Sequence, residues 1–192
     1  MPTLTILAGG ESTRMGRDKA LLDDGRGPLL ARLAALGLHC DLPVQIVGRA
    51  RPNDWPLPQV DFLPDDDPGQ GPLGGLATAL ARTAPVLLIA CDLAALTPRA
   101  LTWLVQTVAK QPLRDGVVTE RDGLIEPLFA CYTARCRTQV EQRLASGQRA
   151  LHRLIADGDF RHVALPTPLW PALANVNTPE EWQAWQRFAH GS

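Results

Sequence analysis

Thirteen residues near the amino terminus hold the densest chemistry in the chain. The segment Leu7-Ala8-Gly9-Gly10-Glu11-Ser12-Thr13-Arg14-Met15-Gly16-Arg17-Asp18-Lys19 follows a short apolar stretch. Its glycines let backbone approach a ligand closely and leave N–H groups free to meet phosphate oxygens or base edges. Arg14 adds a planar fork and Lys19 a point charge, the two cation types that suit a polyphosphate. Two familiar phosphate loops fail on spacing. A P-loop needs lysine directly after its last glycine, and here Arg17-Asp18 intervene between Gly16 and Lys19. The dinucleotide fingerprint G-x-G-x-x-G is absent as well. A second chemical position is Asp92, directly after the continuous apolar run Val86 to Cys91. A carboxylate carried to the end of such a strand costs desolvation unless a cation meets it. Cys40, Cys91, Cys131 and Cys136 show no C-x-x-C spacing and the four histidines no ligand pattern, which argues against zinc or dithiol chemistry. Cys91 and Cys131 read as small core hydrophobes.

These positions need a scaffold, and the sequence predicts one. Leu4 to Ala8 reads as a buried strand feeding the glycine-rich loop. Leu29, Leu30, Leu33 and Leu36 recur at helical spacing, with Gly37 expected as the C-cap. Val44 to Val47 and Val60 to Leu63 are short strands, and a Gly/Pro/Asp-rich loop from Pro64 to Pro72 leads into a small-residue helix. The Val86 to Cys91 run is the pattern of a strand covered on both faces. Leu101, Leu104, Val105 and Val108 mark another helix, with Thr97 placed to cap it. Strands near Val117-Val118 and Leu128 to Tyr132 and a helix near Thr138 to Leu144 follow. Thr178-Pro179-Glu180-Glu181 is a capping box, and Trp182, Trp185 and Phe188 then share one helix face that should dock on the sheet. Alternating strands and helices with short connections predict an α/β fold, a Rossmann-like three-layer sandwich with a mainly parallel (mixed) sheet. Ligands of such sheets bind at the carboxyl ends of the strands.

Composition bounds the rest. The chain has 192 residues, 45% hydrophobic and 20% charged, which suits one globular domain over 1–192 and argues against wholesale disorder. A net charge of -1 gives no general basic footprint for nucleic acid. The apolar runs fall far short of the ~20 residues that cross a bilayer, and no basic leader precedes the first strand. A cytoplasmic protein with no nucleic-acid or membrane partner is the expectation.

The amino-terminal loop resembles the L-A-G-G-x-S-x-R-M-G-x-D-K signature of the molybdenum cofactor guanylyltransferase family, the molybdopterin-guanine dinucleotide biosynthesis protein A group of the nucleotidyltransferase superfamily. Gly71-Pro72-Leu73-Gly74-Gly75-Leu76 is similar to its G-P-L-x-G segment, Cys91-Asp92 to its C-D, and Asn175-Val176-Asn177-Thr178-Pro179-Glu180 to its N-x-N-T-P-E. Glu126 to Tyr132 and Gly147-Gln148-Arg149 also look like family segments. The likeness spans nearly the whole chain. Two departures stand out. Leu93 follows Cys91-Asp92 where the family usually has proline, and Gly48 stands where relatives place a nucleotide-contacting asparagine.

The resemblance implies roles residue by residue. Leu7, Ala8, Gly9 and Gly10 would hold the guanine and ribose of GTP, and Lys19 the phosphates with Arg14 beside it. Asp65 would contact nucleotide, although Asp65-Asp66-Asp67 leaves the register open. Asp92 would hold Mg²⁺, and Asn175 and Asn177 would face the pterin, with turn formation and helix entry as the alternative reading of the asparagines. Arg14, Lys19 and Asp92 would then be catalytic. The implied reaction transfers GMP from GTP to the terminal phosphate of molybdopterin or its molybdenum-loaded form and releases pyrophosphate. Cofactor-delivery or acceptor proteins belong to the implied partners. Competing readings are a cytidylyltransferase for the same pterin, a sugar-nucleotide synthase and a non-catalytic GTP-binding module. Gly9-Gly10 favours guanine within the resemblance, because cytidine-using relatives tend to carry alanine at the first of these positions.

Overall fold

The computed structural model describes residues 1–9, 18–23, 25–65, 69–112, 114–176 and 178–190, the last three by backbone alone. Arg14, Gly10 and Asn177, all expected at the site, lie outside the described residues, as do Asp66, Asp67 and the Phe188 side chain. Seven strands form one sheet: β1 (Thr3–Leu7), β2 (Val44–Val47), β3 (Asp61–Leu63), β4 (Val86–Ala90), β5 (Gly116–Arg121), β6 (Leu124–Tyr132) and β7 (Phe160–Ala164). Their order is β3-β2-β1-β4-β6-β5-β7. β6 runs antiparallel to β4 and β5, and the other pairings are parallel. The expected mixed, mainly parallel sheet is what forms.

Six α-helices flank it: α1 (Leu29–His39), α2 (Gly71–Arg82), α3 (Pro98–Ala109), α4 (Arg137–Ala145), α5 (Leu151–Asp157) and α6 (Pro179–His190). The alternating side chains of the strands divide the core. Leu4 and Ile6 of β1 and Leu87 and Ile89 of β4 face α1, α3 and Trp182 of α6. Val86 and Leu88 of β4 face α2, α4 and α5 on the other side. This gives three layers, because β1, β2 and β4 are buried on both faces, with the two buried polar side chains Thr5 and Gln45 hydrogen-bonded to each other at 2.8 Å. β1 begins and ends one residue earlier than the sequence reading, and β4 stops one residue short of Cys91. Thr97 caps α3 by accepting from the Ala100 N–H at 3.2 Å, as expected. At α6, Thr178 and Glu181 exchange side-chain-to-backbone hydrogen bonds of 3.2 Å each, completing the capping box. Trp182 is buried and stacks on Trp185 at 5.0 Å, while Arg26 and Arg32 lie over the Trp185 ring. The helix docks.

Several features depart from the sequence reading. Gly37 does not cap α1; the helix continues to His39, and Asp41 takes the left-handed turn at φ 56°. Gly37 is there for space: a β-carbon on it would lie 2.5 Å from Leu4 Cδ2 and 2.8 Å from Val44 Cγ2. Asp122-Gly123, both at positive φ, close a tight hairpin between β5 and β6. That hairpin, α5 and β7 were not anticipated, because elements of five to seven residues are too short to give a clear periodic signal. Cys131 is buried as expected, with its thiol pushed up to about 12 by burial. Cys91 is only partly covered.

Gly37→Ala should lower stability. Overpacking of this kind costs about 1–3 kcal/mol, against roughly 1 kcal/mol gained in helix propensity. Urea denaturation should show a lower midpoint with unchanged slope; a raised midpoint would mean that the helix–strand gap accepts a methyl group.

Candidate active site

The strand order reverses at β1. The chain leaves β1 for β2 on one side, and later returns to β4 on the other. At such a point the loops after neighbouring strands diverge and leave a crevice at their carboxyl ends. Here a cleft of about 430 Å³ opens, lined among others by Leu7, Gly9, Lys19, Asp65, Gly75 and Asp92. Each wall comes from a different strand end. Leu7 accepts from Cys91 N–H at 3.1 Å, and Ala8 N–H donates to Val47 at 2.8 Å, so β1, β2 and β4 finish level with one another.

Close backbone approach shapes the floor. Gly48 has φ +99°, and a β-carbon there would sit 2.5 Å from Gly9 N and 2.6 Å from Gly9 Cα. A β-carbon on Gly9 would lie 3.1 Å from Asp65 Oδ2. The Asp65 carboxylate therefore rests against Gly9, where sequence reasoning expected the second-loop acid. The amino end of α2 also opens on the cleft through Gly71, Pro72 and Gly75, a favourable place for negative charge. A β-carbon on Gly75 would stand 2.7 Å from Leu7 Cδ2, so glycine lets the helix close on β1.

Charge concentrates on the opposite wall. Lys19 begins a 3-10 turn (Lys19–Leu21) whose cap is Asp18, accepting from Ala20 N–H at 3.0 Å. Lys19 Nζ lies 3.7 Å from Asp92 Oδ2, with the two side chains 17% and 19% exposed. Asp92 Oδ1 is buried and has no hydrogen-bond partner among the described residues. Burial raises the Asp92 pKa above the ordinary carboxylate value, and the Lys19 charge opposes that rise. A half-shielded carboxylate with a spare oxygen, facing a ligand cleft, suits an oxygen-seeking divalent cation. Cys91 is no thiolate nucleophile: burial, and then the neighbouring Asp92 charge, push its thiol up to about 11.

The carboxyl-terminal motif reaches the same edge. Val176 N–H donates to the Asp92 carbonyl at 3.0 Å, which sets the exposed Asn175 beside the strand end that carries Asp92. A broader hollow of about 910 Å³ lies between the Lys19 turn and α6 and shares Asp18 with the cleft. The structure thus gathers Leu7, Ala8, Gly9, Lys19, Asp65 and Asp92 around one cleft. Sequence reasoning missed Arg49, whose guanidinium pairs with Asp18, and the partner of Arg149, which donates to Gln70 at the start of α2 at 2.9 Å. Gly147-Gln148-Arg149 was noticed as a motif, but nothing in sequence could say what it would touch.

A glycine-lined cleft at the switch point, with Lys19 and Asp92 paired at its rim and Asp18 and Asp65 beside them, is the arrangement of a nucleotide-handling α/β enzyme. Residues 4–164 match the model of the MobA-like NTP transferase domain, and the chain belongs to that family. It is 38% identical to a "Probable molybdenum cofactor guanylyltransferase" of Deinococcus radiodurans, over 93% of this chain and 91% of that protein. A protein of the same name from a Nostoc species is 34% identical over 93% and 87%. Among solved structures, the molybdopterin-guanine dinucleotide biosynthesis protein A of Archaeoglobus fulgidus superposes with a TM-score of 0.80, at 19% identity, covering 99% of this chain and 100% of that one. A 2-C-methyl-D-erythritol 4-phosphate cytidylyltransferase from Thermus thermophilus gives a TM-score of 0.69 at 15% identity, over 98% of this chain and 99% of that one, a likeness of fold. The chain is a nucleotidyltransferase, an enzyme class that generally works with a divalent metal. No helix among the described residues is long and apolar enough to cross a membrane.

Two outcomes follow. Because the folded-state pKa of Asp92 is raised, the group stabilises the fold when protonated, and that contribution is lost as pH rises through the raised value. Without divalent ions at pH 7, Asp92→Asn should therefore melt no lower than the wild type, and any gain should vanish below the ordinary carboxylate range. A lower Tm at pH 7 would show that the pairing with Lys19 outweighs burial. Gly48→Ala should damage nucleotide binding and cost about 1–3 kcal/mol of stability, since the methyl group meets backbone that cannot rotate away. Wild-type nucleotide affinity in that variant would mean that the Gly9 contact is not needed.

Proposed function

We propose that this chain is a molybdenum cofactor guanylyltransferase, which joins GMP from GTP to the terminal phosphate of molybdopterin or its metal-loaded form. The observation that carries the reading is the Lys19–Asp92 pair at the mouth of a glycine-lined cleft, together with relatives of that name along 93% of the chain. One nucleotidyltransferase domain over 1–192, acting in the cytoplasm, is part of the proposal.

The chemistry follows from charge. A phosphate monoester has a second pKa of about 6, so the acceptor is already mostly a dianion near pH 7 and needs no general base. Its oxygen attacks the α-phosphorus of GTP, the bond to the β-phosphate breaks, and pyrophosphate leaves with the electron pair. The barrier is repulsion between anions and the charge that grows on the leaving group. Lys19 would neutralise phosphate oxygens, with Arg14 as a second cation. Gly9 and Gly10 would present backbone groups to the guanine and ribose, and Asp65, lying against Gly9, would accept from the nucleoside. Asn175 and Asn177 would hold the pterin end of the acceptor. Asp92, through its buried oxygen, would hold Mg²⁺, which when bound supplies Lewis-acid charge neutralisation. Lys19 and Asp92 would thus also hold each other in place until the nucleotide arrives.

The test is pyrophosphate release by the purified protein with Mg²⁺, molybdopterin and each nucleoside triphosphate in turn. GTP should be preferred; equal use of CTP would remove the basis for naming guanine. Lys19→Ala and Asp92→Asn should each lose about 10²–10³-fold in kcat/KM with circular dichroism unchanged, and Lys19→Arg should recover only part. Wild-type turnover by Asp92→Asn at saturating Mg²⁺ would reopen the metal assignment in favour of the acids near Asp65.

A further inference from the structure

We infer that Arg49 is a positioning residue for the nucleotide, acting through Asp18 on Lys19. The inference rests on the nucleotide reading of the cleft. At Gly48 the chain turns out of β2 with φ +99°, and Arg49 follows directly. Its guanidinium Nη2 pairs with Asp18 Oδ2. The other oxygen of the same carboxylate, Oδ1, accepts from Ala20 N–H at 3.0 Å and caps the turn that begins with Lys19. One carboxylate therefore joins the end of β2 to the turn that bears the phosphate-facing lysine. Lys19 in turn lies 3.7 Å from Asp92 at the end of β4. The result is a line of alternating charge, Arg49–Asp18–Lys19–Asp92, that crosses the mouth of the cleft over the end of β1.

Two properties separate this pair from an ordinary surface ion pair, which contributes little. Arg49 is only 21% exposed and its Nε is buried, so its charge is screened less than that of a surface arginine. Asp18 lines the cleft itself, where a polyphosphate would meet it. Among the described cleft residues the acids Asp18, Asp65 and Asp92 outnumber Lys19. An uncompensated Asp18 would repel the ligand and could swing away from its capping position, taking Lys19 with it. Arg49 prevents both.

The experiment is a double-mutant cycle read by calorimetric titration with GTP and Mg²⁺, with steady-state kinetics alongside. Arg49→Ala should raise Kd and KM for GTP about tenfold while kcat changes by less than about twofold. Arg49→Lys should recover part of the loss, because charge returns without the fork. Asp18→Asn keeps the capping oxygen and removes the charge, so in that background Arg49→Ala should cost less than about twofold. Equal costs in both backgrounds, or an unchanged KM in Arg49→Ala, would overturn the inference. Should Arg49→Ala fail to fold, Arg49→Gln in the same cycle decides the matter with the same outcomes. A wild type that binds no nucleoside triphosphate would overturn the nucleotide reading, and this inference with it.

Discussion

The contact between the backbones of Gly9 and Gly48 governs how this site can be built, because it lets the ends of β1 and β2 meet without a side chain between them. The parallel register brings Leu7 opposite both Val47 and Ala90, so three strands end at one level and three loops leave from it. With a β-carbon at Gly48, only 2.5 Å from Gly9 N, the first loop would have to lift away from the second. Asp65 would then lose its seat against Gly9, and the cleft would lose its floor. Close backbone approach thus comes first, and the charged groups are arranged around it.

Electrostatics divide the cleft into two sides. The glycine floor and the amino end of α2 offer N–H groups and partial positive charge. The rim carries full charges held in sequence: Arg49 against Asp18, then Lys19 against Asp92. Burial alone would leave Asp92 neutral more readily than an ordinary carboxylate, and the nearby Lys19 draws it back toward the ionised form. Asp92 therefore stands to gain from a second cation.

The second half of the chain serves the first. β6 runs antiparallel between β4 and β5, closing the hydrogen-bonding edge that β4 would otherwise expose. The segment after the 3-10 turn Thr167–Leu173 returns to β4, where the Val176–Asp92 backbone bond ties the carboxyl-terminal motif to the strand end. α6 then packs Trp182 into the core beside α1 and leaves a hollow toward the Lys19 turn. Arg149 reaches Gln70 from beyond α4, so even the start of α2 is fixed by a residue 79 positions away.

Much of this was legible in the chain itself. Continuous apolar runs identified β1 and β4, and apolar residues at period 3.6 identified α1 and α3, because burial on both faces of a strand or on one face of a helix writes itself into the sequence. The capping chemistry of Thr97 and Thr178 was equally local, since the donor lies three residues from its acceptor. The glycine-rich loop, Lys19 and Asp92 could be singled out because glycine pairs, cations and a carboxylate after an apolar strand are costly without a ligand. The role of Gly37 was misread, because its reason is the side chains of Leu4 and Val44 and not its own helix. The charge on Arg49 could be counted but its partner could not, since Asp18 lies 31 residues away and meets it only when β2 pairs with β1. The same holds for Asp65, whose carboxylate comes to rest against Gly9 because β3 ends beside β2. Local rules marked the strongly patterned elements and the chemical types, though not α5 or β7. Partners separated along the chain were decided only by the tertiary structure, because strand register determines which distant atoms share a few ångströms of space.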